Sequence, residues 1–481
     1  MRAQLRSASY AAVVVFLLST EKGHAQEAAA LHSLREAVAV QQIIEREGAW
    51  LGPAIWPGFR PDTVAMLHVV PGRGKLFAHH RESEPAGFRP YPNRRGWSWA
   101  GPERVSFSPG HIAFLTTSGD TAATLGLAVH EAFHEYQEEQ ARAGIVFGRR
   151  ENALHVIEYP VFDAGNEAGV AIEARQLSAA LRAASGPARA EHVREFLAVR
   201  RDRRAALPER FATFEMQSEL NEGLAQYALL RALSELRAQP GFPWREAAAA
   251  AIEDEVLRLR DILDTSGRSV RRRFYTTGAA IGLLLDEMSG NAWKEVLMTE
   301  DVTLDDLLAR YAAGEPIASV QEIRMREGRG IERLAARITA SLAAERAALR
   351  DSLLDRRGTR LELRIDSAGV VQWCGFDPQN TLAAATGEVI HARWLRLCAG
   401  GSTIAEFNGG VVQQADGRSY VVILGDTAEL SSAVRSWTAG AEWPTGEVAD
   451  LQIESPELSL RLRRALIRRA ASGWVVHAAS D

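Results

Sequence analysis

Apolar positions recur every three or four residues along most of the chain as far as residue 357, and every second residue beyond it. That change of period divides the molecule. Leu31, Leu34, Val38, Ile43 and Ile44 predict an amphipathic helix over 27–47, and Gly52, Pro53, Pro57, Gly58 and Pro61 then break the pattern. Residues 63–70 (TVAMLHVV) read as a strand, with Lys75 to His79 as its partner across a Gly-Arg-Gly turn. Residues 85–102 read as an irregular loop, and His111 to Thr117 (HIAFLTT) as a strand that feeds the next helix. Helical spacing then dominates, with candidate helices at 165–184, 188–205 and 214–230 and a long one over 331–357. Beyond Gly358-Thr359 come short alternating strands such as LELRID, RSYVVILG and VADLQIE, with Asp416-Gly417 placed for a hairpin turn.

The architecture expected is α+β: a small α+β segment over 26–110, a mainly helical body over 111–357 and a separate all-β domain, sandwich or small barrel, over 358–481. With 481 residues there is ample material for large cores. The formal net charge of −5 gives no reason to expect nucleic acid as a partner. Residues 1–25 read as a secretory signal: Arg2 and Arg6, a short apolar run from Tyr10 to Leu18, and Gly23-His24-Ala25 at the cleavage site. That implies a secreted or periplasmic protein. No later run reaches the ~20 apolar residues of a membrane span, so no stable insertion is expected after the signal is removed. In such a compartment the only two cysteines, Cys374 and Cys398, are expected to form a disulfide.

The chemistry is concentrated in Leu125 to Gln137, LGLAVHEAFHEYQ. His130 and His134 lie four residues apart, hence on one face of a helix, and can offer two imidazoles to one zinc ion. Glu131, one step round, is placed to act as a general base on water at that metal. Ser118 or Asp120 could cap the helix and Gly144 end it. A second stretch, FEMQSELNEGLAQYALL from Phe214 to Leu230, sets Glu215, Glu219, Glu222 and Gln226 on one stripe. An acidic wet face would look the same. Gly223 argues otherwise, because glycine within a helix costs about 1 kcal/mol relative to alanine and marks close approach by another backbone. The approach expected is that of the HExxH helix. Glu222 is the leading third ligand, Glu173 the alternative, and Glu167 and Glu219 are also available. His68, His79 and His80 are weaker candidates, and the run Arg200, Arg201, Arg203 and Arg204 reads as a solvated or salt-bridged face.

His130-Glu131-x-x-His134 followed by Asn221-Glu222-Gly223-Leu224-Ala225-x-Tyr227 resembles the gluzincin metallopeptidases, nearest to their aminopeptidase-N-like branch. The resemblance implies a zincin-like catalytic domain, zinc as cofactor, a peptide or protein substrate and Glu222 as third ligand. Phe274-Tyr275-Thr276-Thr277-Gly278-Ala279 is similar to that branch's Tyr-x-x-Gly-Ala helix start, which implies Tyr275 as a donor to the oxyanion. The interval from His134 to Glu222 is longer than in that branch, so a helical insertion has to be accommodated. The Gly-x-Met-Glu-Asn motif that grips a free amino terminus is absent, so aminopeptidase specificity does not carry over. The rival expectation is a non-catalytic binding or scaffold protein, with a peptidase-like helical core and a ligand site in the β domain.

Overall fold

The computed structural model describes residue 36, residues 39–70, 75–80, 87–91 and 112–116, and, from 120 to 478, all but a few short stretches. Between 65 and 116 only the backbone is described. The signal segment, Ser118 and the side chains of His68, His79 and His80 lie outside the described part. Helix α1 occupies residues 39–55 and so runs through Gly52 and Pro53 instead of stopping before them. Gly52 faces the carbonyl of Phe59, leaving no room for a Cβ, so the chain folds back tightly onto the end of its own helix.

Four strands follow: β1 (Ala65–Val70), β2 (Lys75–His80), β3 (Gly87–Tyr91) and β4 (Ile112–Thr116). They pair in the order β3-β2-β1-β4, with β1 and β4 parallel and the other pairs antiparallel. Strand β4 is an edge, and it leads into α2 (Thr121–Arg142), which carries HExxH. Asp120 caps α2 by accepting from the amides of Ala122 and Ala123, and Gly144, at φ +85°, follows its last turn.

The body continues as α3 (His155–Glu158), α4 (Ala164–Arg182), α5 (Gly186–Ala205), α6 (Glu209–Ser218), α7 (Leu224–Ala238) and α8 (Arg245–Arg258). It is completed by α9 (Val270–Ser289), α10 (Ala292–Thr299), α11 (Leu304–Tyr311) and α12 (Val320–Leu354). One core unites α1 and α2 with all of these but α3 and α6, whose Val156, Phe211 and Phe214 join Phe274 in a second cluster. In the first, Trp56 stacks on Phe147, and Phe133, Trp293 and Tyr227 meet Trp56 edge-on. Helices α6 and α7 form one continuous rod, interrupted by a single π-helical turn at Glu219–Gly223. Single π turns inside α-helices occur frequently at functional sites.

The arginine run of α5 is largely buried. Arg200 grips Glu219 with two bonds of 2.9 Å and Glu173 with a third of 2.9 Å. Arg203 holds Glu215 at 2.7 and 2.8 Å and Glu173 at 2.5 Å, while Arg204 joins Glu215 to Asp305, each at 2.7 Å. Of the four arginines only Arg201 is a solvated side chain. Beside the network, Arg273 of α9 is paired with Glu167. The stripe Glu215 and Glu219 is therefore not a wet face. It is the inner seam by which the α4–α5 hairpin clasps the α6–α7 rod.

Helix α12 spans roughly 50 Å at 1.5 Å per residue and connects the two parts of the molecule. It packs along α4 and α5, and its end meets the β unit, where Leu353 enters an apolar cluster with Ile390 and Val412 and Arg350 pairs with Glu388. The β unit is one sheet of thirteen strands among the described residues, bent towards a barrel. Thr359–Ile365 lies between Ser419–Leu424 and the parallel strand Gly473–Ala478. Leu458–Ala470 pairs with Gly446–Glu454 and Gly473–Ala478, and its first residues pair with Ser402–Asn408, which curls the sheet. Asp416-Gly417 makes the hairpin turn, Gly417 at φ +71°. Cys374 and Cys398 are disulfide-bonded across neighbouring strands.

The buried arginine network yields a stability test. Removing one member leaves buried charges unpaired, which costs about 3–5 kcal/mol, whereas an exposed substitution is usually within about 0.5 kcal/mol. Arg203→Met is expected to lower the unfolding free energy by that larger amount and Arg201→Met to leave it almost unchanged, measured by urea unfolding.

Candidate metal centre

Helix α2 brings His130 and His134 onto one face, and the π turn brings Glu222 to meet them. The three ligand atoms form a tight triangle: His130 Nε2 to His134 Nε2 3.1 Å, His134 Nε2 to Glu222 Oε2 3.2 Å, and His130 Nε2 to Glu222 Oε2 3.4 Å. A zinc ion bound at 2.0–2.1 Å in tetrahedral geometry sets neighbouring donors roughly 3.3 Å apart. The triangle thus has the size of one face of such a tetrahedron. Among the described residues no other group of histidine, cysteine and acidic side chains is close enough to hold a metal. His130 is 3% exposed and Glu222 is 5% exposed, whereas His134 is the more open ligand.

The supporting contacts fix the ligands. Gln137, one turn after His134, accepts from His134 Nδ1 at 2.9 Å and donates to the carbonyls of Leu220 and Asn221 at 2.9 and 3.1 Å. Those two donations orient the Gln137 amide so that its oxygen receives the Nδ1 hydrogen of His134, which leaves Nε2 as the nitrogen facing the triangle. The same amide ties α2 to the π turn. His130 Nδ1 is buried without a partner among the described residues, and its ring is steadied instead by stacking on Tyr275 at 5.5 Å between centroids. The oxygen of Glu222 that faces away from the histidines, Oε1, accepts from Arg271 at 2.5 Å and from Asn221 at 3.4 Å. Arg271 is also paired with Glu151 and lies 3.5 Å from the Tyr275 hydroxyl.

Gly223 opposes Gly278 of α9, and a Cβ on either would come within 2.7 Å of the other's Cα. The close approach expected at Gly223 is therefore to the Tyr275 helix rather than the HExxH helix. α2 meets α7 elsewhere, where Gly126 receives the side chain of Leu229. Tyr275 lies more than a turn inside α9 instead of at its start.

Glu173, the alternative third ligand, is held by Arg200 and Arg203 and takes no part in the triangle. Glu167 is bound to Arg273, and Glu219 to Arg200 and Thr277. The structure thus assembles His130, His134 and Glu222, with Glu131 beside them and Tyr275 against His130. Gln137, Arg271 and Glu151 were not anticipated. Gln137 alone carried a local signal, its position at i+3 from His134.

Burial opposes charge on both partners of the His134–Glu222 contact, yet it is outweighed on Glu222 by hydrogen bonds to His130 and His134, and on His134 by the hydrogen bond and attraction to Glu222. The Glu222 carboxyl is held far below the usual carboxylate range, and His134 is raised to about 9, with Glu131 adding to the effect. Burial, reinforced by the Glu222 charge, pushes the Tyr275 phenol well above its usual value, so it remains a hydrogen-bond donor.

Comparison with protein-family models, with curated proteins and with solved structures finds no match for this chain. The candidate centre rests on its own geometry.

A metal held by the triangle would compete with a proton for His134 Nε2, which fixes the sign of the expected pH dependence. Below about 9 the metal has to displace a proton from this side chain, so apparent zinc affinity is expected to rise about tenfold per pH unit toward 9 and then to level. Chelator competition at several pH values, with release of a proton at pH 7, checks this. A flat profile between pH 7 and 9 would contradict it.

Proposed function

We propose that the chain is an exported, zinc-dependent peptidase in which residues 111–357 form a zincin-like catalytic body. The observation that carries the reading is the donor triangle of His130, His134 and Glu222, sized for one zinc ion and sited on the HExxH helix. Glu131 adjoins that site on the same helix and is partly open to solvent. The Cys374–Cys398 disulfide supports export, since such bonds persist in oxidising compartments. No helix among the described residues is long and apolar enough to cross a membrane.

His130, His134 and Glu222 would hold the zinc ion, which would supply the Lewis acidity that makes water a nucleophile near neutral pH. Glu131 accepts the proton of the attacking water as its oxygen bonds to the scissile carbonyl carbon. It then delivers that proton to the amine as the carbon–nitrogen bond breaks. Tyr275 donates its phenolic hydrogen to the negative charge that develops on the carbonyl oxygen. Stacked on His130 and flanked by Arg271, its ring is fixed before substrate arrives.

A peptide-library screen of the purified protein, paired with Glu131→Gln, tests the reading. The parent is expected to cleave peptides. Glu131→Gln is expected to keep its zinc and lose at least about a hundredfold in turnover, the scale of general acid–base catalysis. An active Glu131→Gln variant would overturn the mechanism, and a zinc-loaded parent that cleaves no peptide would overturn the assignment of substrate.

A further inference from the structure

We propose that Arg271 is a positioning residue that confines Glu222 to one-oxygen coordination and so keeps the metal's remaining positions open. The inference rests on the zinc reading above. A carboxylate can bind a metal through one oxygen or through both, and the second oxygen of a buried ligand is free to swing inward unless something holds it. Here Oε2 faces both histidines while Oε1 is drawn away by the guanidinium at 2.5 Å. Asn221 reaches the same oxygen only at 3.4 Å, so Arg271 is the stronger partner. A charge-assisted bond of this kind is roughly twice as strong as a neutral one.

Arg271 is itself anchored. It pairs with Glu151, whose other oxygen accepts from Ser218 Oγ at the end of α6, and its guanidinium also lies over the Tyr275 ring, 5.9 Å from the centroid. Arg271 and Tyr275 are one turn apart on α9, and Gly278, one turn further, is the residue that lets α9 meet the π turn. The Gly223–Gly278 contact therefore sets how far Arg271 can pull on Glu222. Two carboxylates on one guanidinium leave it little positive charge to spare, which fits a structural clamp better than a site for substrate anions.

The test compares the full-length parent with Arg271→Met and Arg271→Lys, each loaded with cobalt(II) for visible absorption and with zinc for chelator competition. Thermal melting of each variant monitors the fold. The parent is expected to show the intense absorption of a low-coordinate cobalt site. Arg271→Met should still bind metal but lose most of that intensity as the freed oxygen joins the coordination sphere, and its zinc affinity should change by about 10–100-fold, the usual scale for partners of metal ligands. Arg271→Lys keeps the charge but loses the second nitrogen that reaches the Tyr275 hydroxyl and steadies the guanidinium, so an intermediate spectrum is expected. It is the deciding variant if Arg271→Met does not fold. Spectra identical to the parent's in the folded variants overturn the role of Arg271 and leave the zinc reading intact. A parent that binds neither cobalt nor zinc overturns both.

Discussion

A carboxylate buried between two imidazoles on one side and a guanidinium on the other is the constraint on which this structure turns. Glu222 has almost no access to water, and a buried charge is tolerated only when it is paired and hydrogen-bonded. Its two oxygens have different partners, Oε2 meeting His130 and His134 and Oε1 meeting Arg271. Three helices thus converge on one side chain, α2 through the histidines, the α6–α7 rod through Glu222 and α9 through Arg271.

The π turn makes that convergence compatible with the buried arginine network. In a regular α-helix Glu222 would lie close to the face of Glu215, seven residues earlier. The wider turn at Glu219–Gly223 rotates it away, so that Glu215 and Glu219 face the arginines of α5 while Glu222 faces the histidines. The hairpin of α4 and α5, which occupies much of the 88-residue interval between His134 and Glu222, is therefore more than an insertion to be accommodated. It grips the rod just ahead of Glu222, with Arg200 on Glu219 and Thr277 of α9 on the same carboxylate.

The helix of the histidines was legible in the sequence because its information is local: a period, an Asp120 cap and two histidines four apart. So were the helical body, the long α12, the all-β unit and the paired cysteines. The partners of the buried charges were not. Arg200 and Arg203 find Glu173 27 and 30 residues away, and nothing in a run of arginines tells a solvated face from a buried one. The stripe Glu215, Glu219 and Glu222 had the same ambiguity, and one extra residue in a single turn is hard to see in an apolar period that already alternates between three and four. Gly223 signalled a close approach but not which helix came near. Arg271 was hidden for the same reason, since its role exists only once α9 has crossed the π turn.

His130, His134 and Glu222 are proposed to make one metal site. The measurement that decides this is the metal content of the purified protein beside its His134→Ala and Glu222→Ala variants. About one zinc per parent chain is expected, as a site with a single set of three ligands requires, and loss of that zinc in both variants. Zinc retained by Glu222→Ala at the parent's affinity, or a parent that takes up no zinc when it is supplied, would contradict it.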